Sequence, residues 1–156
     1  MHIARVGWVF AALGLASGCL NASASKKFSE AVENMNKAAR WGEMRQAASM
    51  VDPAYQATFT SNHADWGTMI QVADSQVMQL DLAPDQGSAV AVISYDWYLM
   101  SAMTLHKSVV RQSWTRRPES SDFGLSGEAV VKGDPRLLVP GASDDPLAPP
   151  SPDGSP

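Results

Sequence analysis

Ala89-Val-Ala-Val-Ile-Ser-Tyr-Asp-Trp-Tyr-Leu-Met100 and Thr104-Leu-His-Lys-Ser-Val-Val-Arg-Gln-Ser-Trp-Thr-Arg-Arg117 decide the fold. Both alternate with period two. Ala91, Ile93, Tyr95 and Trp97 share one face of the first. In the second, His106, Val110 and Trp114 lie on one side, with Leu105 and Val109 on the other. Alternation of this kind predicts two half-buried strands. Upstream, Met69 to Leu82 carries Ile70, Val72, Met78, Leu80 and Leu82 at even positions, with Asp74 and Gln76 interrupting the face. This predicts a strand with a bulge near Ala73–Ser75. Ala83-Pro84-Asp85-Gln86-Gly87-Ser88 is a turn. Pro118-Glu119-Ser120-Ser121 is another, and Asp122 to Lys132, with Phe123, Leu125 and Val131, reads as a fourth strand.

Before the strands the period changes. Phe28, Ala31, Val32, Met35, Ala38 and Ala39 recur every three or four residues, which puts them on one stripe of a helix beginning at Lys26. Ser25 or Ser29 could cap it, and Glu30 and Glu33 suit its first turn. Trp41-Gly42 marks a break. Met44, Ala47, Ala48 and Val51 continue as a second short helix, which Asp52-Pro53 stops. Tyr55 and Phe59 could anchor a helical turn, and residues 61–65 read as a loop. Helices followed by an antiparallel sheet predict an α+β fold, with the N-terminal helices packed on a curved sheet.

The first residues belong to a different kind of segment. Arg5 precedes an apolar run, Val6 to Ala16, and then Leu15-Ala16-Ser17-Gly18-Cys19. As a helix that run would span only about 16 Å, against roughly 30 Å of hydrocarbon, so it suits a secretory signal and not a membrane anchor. Small residues ahead of a cleavage point let the backbone lie extended in a peptidase cleft. Cys19, the one cysteine of the chain, follows immediately. The stretch resembles the lipobox of bacterial lipoproteins, with Ala16 three before the cysteine where Leu is commonest. The resemblance implies cleavage after residue 18 and lipid, of the palmitate type, on Cys19. Leu20 as second residue implies sorting to the outer membrane, facing the periplasm.

The expected organisation is therefore a signal at 1–18, a lipidated tether at 19–25, an α+β domain at 26–133 and a Pro-rich tail at 134–156. Seven of the ten prolines lie in that tail, which argues for a disordered segment with polyproline character. The domain's own residues carry a second resemblance. Arg40-Trp41-Gly42-Glu43-Met44, then Ala47-Ala48, then Val51-Asp52-Pro53, is similar to the helical half of nuclear transport factor 2-like (cystatin-like) domains. Tyr95-Asp96-Trp97-Tyr98 and Val109-Val110-Arg111-Gln112-Ser113-Trp114 resemble their sheet half. That family often ends a late strand with Gly-x-Trp, whereas Phe123-Gly124-Leu125 here lacks the Trp. The resemblance implies a cone-shaped roll, a bent sheet wrapped around a long helix. Its pocket would serve small-molecule binding, isomerase or dehydratase chemistry, or partner docking. Fold alone does not choose among these.

Composition narrows the classes. Hydrophobic residues make up 45% and charged residues 18%, which places the middle of the chain among globular sequences. The net charge is −4 and no basic run exists, which speaks against nucleic acid. A single cysteine excludes an internal disulfide framework and a Cys-x-x-Cys site. A hairpin centred near residue 101 would set Asp96 opposite His106, and such a pair in a pocket could transfer protons, the carboxylate fixing the imidazole tautomer. The alternative is a cross-strand polar pair on the outer face, and no catalytic residue is assigned. Tyr95, Trp97 and Trp114 are candidates to stack on a ligand, although aromatics at strand spacing are ordinarily core. His63 and Asp65 are two of the three ligands a metal would need, without a third, so no metal and no cofactor is expected. Lys107, Arg111, Arg116 and Arg117 form a basic patch, read as a solvated edge. The expectation is a non-enzymatic, membrane-attached envelope lipoprotein with an envelope protein as partner. The alternatives are a small cone-pocket isomerase or hydrolase, and a carrier of an apolar small ligand.

Overall fold

The computed structural model describes residues 17–138, with side chains from residue 23. The apolar signal run, the side chain of Cys19 and the tail beyond residue 138 lie outside the described residues. Three helices, α1 (Ser17–Arg40), α2 (Met44–Ser49) and α3 (Gln56–Asn62), precede four strands. These are β1 (Ile70–Leu82), β2 (Ser88–Leu99), β3 (Leu105–Arg116) and β4 (Phe123–Gly133). Each strand pairs antiparallel with the next, so the sheet order is β1-β2-β3-β4. The fold is α+β, helices packed on a curled antiparallel sheet, as the periodicities predict.

The stripe read from the sequence is the buried face of α1. Phe28, Val32, Met35, Ala38 and Ala39 enter one core with Ala91, Ile93, Tyr95 and Trp97 of β2 and Val110 and Trp114 of β3. The Phe28 ring meets the edge of Trp114 at 6.1 Å and tilts against Phe123 at 5.3 Å. Apolar positions at helical spacing meeting apolar positions at strand spacing is what layers these two surfaces. The helix ends in a Schellman motif: Gly42 N–H donates to Ala39 O and Glu43 N–H to Ala38 O. Gly42 takes the left-handed conformation (φ +72°) that this closure needs. A Cβ on Gly67 would come within 3.2 Å of the Gly42 Cα, so the two loops touch backbone to backbone.

Several expectations are corrected. The helix starts at Ser17, not Lys26, so residues 19–25 have helical backbone instead of forming a free tether, and Ala24 is already buried. In β1 the expected bulge exists, between Val72 and Asp74, and a second lies between Val77 and Gln79. Ile70 and Val72 are buried, but Met78 and Leu80 beyond the bulges are exposed. The first inserted residue reverses the parity, so that Ser75 and Val77 stand opposite Tyr95 and Ile93, and the second restores it, so that Leu80 and Leu82 stand opposite the buried Ala91 and Ala89; Leu80 is exposed although it faces inward. Val131 is likewise exposed: it is the residue left out of the β3–β4 register at the shift between Val109 and Val110. The domain also runs past residue 133. A 3-10 turn at Pro135–Leu138 buries Leu137 and Leu138, and the Trp66 indole N–H donates to Leu137 O at 2.7 Å. Among the described residues, no helix is long and apolar enough to cross a membrane.

Candidate functional site

The expected Asp96–His106 pair does not form. Trp97 stands opposite His106, and Asp96 stands opposite Lys107. The β2–β3 connection takes one residue more than a hairpin centred on 101 would, and Met103 adopts φ 54° to close it. A slip of one residue sends two facing side chains to opposite faces of the sheet. His106 therefore stacks on Trp97, centroids 4.8 Å apart, and its Nδ1 faces Asp134 Oδ2 at 3.3 Å. Asp96 forms an ion pair with Lys107 (3.2 Å), the ammonium lying off hydrogen-bond alignment with the carboxylate. The aromatic candidates are core: Tyr95, Trp97 and Trp114 are each no more than 1% exposed. Trp97 Nε1 donates to Ser108 Oγ at 3.0 Å, which satisfies its one polar group inside.

The structure instead assembles a buried polar cluster from residues the sequence scatters. Asn36 sits on the apolar stripe of α1, four residues after Val32, and Gln112 sits between Val110 and Trp114 on the inward face of β3. Their amides bond reciprocally, Asn36 Nδ2 donating to Gln112 Oε1 (3.2 Å) and Gln112 Nε2 to Asn36 Oδ1 (3.1 Å). The Tyr95 hydroxyl also donates to Asn36 Oδ1. Gln112 Nε2 donates onward to Glu128 Oε1 at 3.0 Å. Glu128 Oε2 has no hydrogen-bond partner among the described residues and lies 3.5 Å from His63 Nε2. A polar residue in an otherwise apolar stripe is the signal that could have found Asn36 and Gln112. Glu128 could not be found that way, because its inward direction depends on the β3–β4 bulge.

Proton placement follows from the partners. His63 Nδ1 lies 2.9 Å from Phe59 O, a pure acceptor, so Nδ1 carries the hydrogen and Nε2 is left with its lone pair. Burial lowers the His63 pKa from 6.5 to about 4. Burial raises that of Glu128 from 4.5 to about 7, only partly opposed by the Gln112 hydrogen bond. Both shifts favour the uncharged form, and we read the contact as a neutral carboxylic acid facing a neutral imidazole. Burial, and then the nearby Glu128, raise the Tyr95 hydroxyl pKa well above 10.

His63 is also where the cluster approaches the surface. A cleft of about 280 Å³ between α2 and α3 is lined by Met44, Arg45, Ala48, Phe59, His63 and Trp66, among others. The His63 ring forms part of its floor, stacked on Phe59 at 4.1 Å and edge-on to Trp66 at 4.5 Å. The cleft is mostly apolar, with the Arg45 guanidinium at its border. Chemically the arrangement can hold one proton out of water and can accept a small apolar group. Asp65 does not join His63 in a metal site: among the described residues, no group of three or more His, Cys, Asp or Glu could hold a metal ion. No family model, curated protein or solved structure matches this chain. What the fold defines is a small α+β domain with a filled concave face.

Proposed function

We propose that this chain is a lipid-anchored bacterial envelope protein, attached through Cys19 to the outer membrane and facing the periplasm, whose nuclear transport factor 2-like domain docks a protein partner and has no catalytic role of its own. The observation that carries the non-enzymatic part is the filled concave face. Phe28, Val32 and Met35 occupy the space against Trp97 and Trp114 where a family member with a cavity would hold substrate. Asp96 and His106, the pair expected to share the pocket, lie on different faces. Helical backbone across residues 19–25 supports a closer attachment than a free tether would give. Seven helical residues rise only about 10 Å, so the first turns of α1 would stand at the lipid headgroups.

Anchoring rests on the order Arg5, apolar 6–16, Ser17-Gly18 and then Cys19. Two acyl chains, at about 0.8 kcal/mol per buried methylene, hold a soluble domain where one chain does not. Wild-type protein should fractionate with membranes and carry a diacyl mass increment on a chain beginning at Cys19. Cys19→Ser should leave it uncleaved at that point and unacylated. Wild-type protein found in the soluble fraction, or cleaved elsewhere without acyl mass, sinks the anchor.

The cleft between α2 and α3 favours one second reading, a carrier of an apolar small ligand. On that reading an apolar fluorescent probe binds saturably and Ala48→Trp, which fills the cleft, weakens it at least tenfold. Binding unaffected by Ala48→Trp removes the cleft from consideration.

A further inference from the structure

The cleft between α2 and α3 is apolar along its floor and carries a single charge. Met44, Ala48, Phe59, Ala64 and Trp66 offer it carbon, and its polar side chains have their hydrogens committed inside the fold. The Trp66 indole N–H goes to Leu137 O, the Thr60 hydroxyl to Gln56 O at 2.9 Å, and the His63 Nδ1–H to Phe59 O. His63 Nε2 is turned to Glu128, and burial keeps the ring neutral. Arg45 remains. It is the one ionised side chain of the lining, it is exposed, and it makes no ion pair or hydrogen bond among the described residues.

The fold gives Arg45 no task of its own. It stands in the first turn of α2, where the helix dipole disfavours a cation. Other arginines are tied into the structure: Arg40 to Ala73 O and Asp74, Arg117 to Val51 O and Asp52, Arg136 to Asp134. A free guanidinium at the mouth of an apolar cleft is complementary to a molecule with an anionic head and an apolar body. Size narrows it further. At about 30 Å³ per non-hydrogen atom, the share of one water molecule in the liquid, the 280 Å³ of the cleft hold about nine such atoms.

We propose that this cleft binds a monocarboxylate with an unbranched apolar body of about eight carbons, the body lying on the rings of Phe59, His63 and Trp66 and the carboxylate on the Arg45 guanidinium. The proposal rests on the carrier reading above and adds the head group to it. The body supplies most of the affinity by leaving water. The guanidinium supplies the choice of head, because its planar fork matches a carboxylate through two parallel N–H···O bonds. At the open mouth the ion pair stays in contact with water, so no charge has to be fully desolvated.

The test uses the full chain in a Cys19→Ser background, so that no acyl chain of its own competes, with the apolar fluorescent probe bound. Octanoate and octylammonium share a body and differ in the sign of the head. At pH 7 and low salt octanoate should displace the probe about tenfold more tightly than octylammonium, and the ratio should shrink as salt is raised. Arg45→Gln should leave the melting temperature and probe binding unchanged and remove the preference. Arg45→Glu should reverse it. Equal displacement by the two compounds, or a preference for octanoate that survives Arg45→Gln, overturns the carboxylate while probe binding sensitive to Ala48→Trp still upholds the carrier. Failure of the probe itself to bind sinks the carrier reading and this proposal with it.

Discussion

Met35→Asp is expected to abolish cooperative unfolding. Met35 is 1% exposed, at the centre of the α1 stripe, and it packs in the core shared with β2 and β3. Removing its burial costs about 1.5–3 kcal/mol. An aspartate there must also either hold an unpaired charge out of water or take up a proton, for several kcal/mol more. A domain of this size has about 5–15 kcal/mol in all, so the sum is comparable to its whole stability. The variant should show no sigmoidal melt by circular dichroism, while Met35→Leu, which conserves volume, should stay within about 1.5 kcal/mol of wild type. A sharp, wild-type-like transition in Met35→Asp would mean that α1 does not seat on the sheet as described.

Glu128→Gln should change the pH dependence of stability by about 3 kcal/mol. Burial raises the folded pKa of Glu128 to about 7 from 4.5, so its contribution is complete below pH 4.5 and is lost as pH rises to 7. Burial lowers that of His63 to about 4 from 6.5, so its contribution is complete above pH 6.5 and is lost as pH falls towards 4. Between pH 4.5 and 6.5 the folded pair and the unfolded pair each bind one proton, and the two slopes cancel. Wild type should therefore show a plateau there, falling slightly on either side. In Glu128→Gln the amide keeps an acceptor for Gln112 and a donor for His63 Nε2, and only the His63 slope remains. Its stability relative to wild type should rise steadily from pH 4.5 to pH 7, by about 1.4 kcal/mol per unit. Urea unfolding at half-unit steps measures this. A difference independent of pH would show that Glu128 is not held neutral inside the fold.

The two variants also mark what was legible. Met35 could be named as core from spacing alone, because a helix repeats every 3.6 residues without interruption from Phe28 to Ala39. Strand parity is legible only until something inserts a residue. The facing of Asp96 and His106 failed on one extra residue in the β2–β3 connection. The exposure of Met78 and the burial of Glu128 each follow a bulge. None of these insertions has a strong local mark, since a bulge costs little and is chosen by how the sheet must bend over α1. His63 stands in the turn just past α3, as a loop at this place predicts; the sequence does not show that its ring stacks on Phe59, the one buried side chain of that helix.

By itself the sequence determined the types and order of the first two helices and the four strands, the stripe of α1, the four residues that share one face of β2, the glycine that ends the first helix and the bulge after Val72. Each is local, written in periodicity or in one residue's backbone freedom. The proposed lipid anchor also rests on the sequence alone. Only the tertiary structure decided which side chains meet: Asn36 with Gln112, Glu128 with His63, Leu137 with Trp66. Those meetings join residues up to 76 positions apart. They depend on register, and register is set by the whole sheet closing over the helix, where a shift of one residue exchanges the inside for the outside.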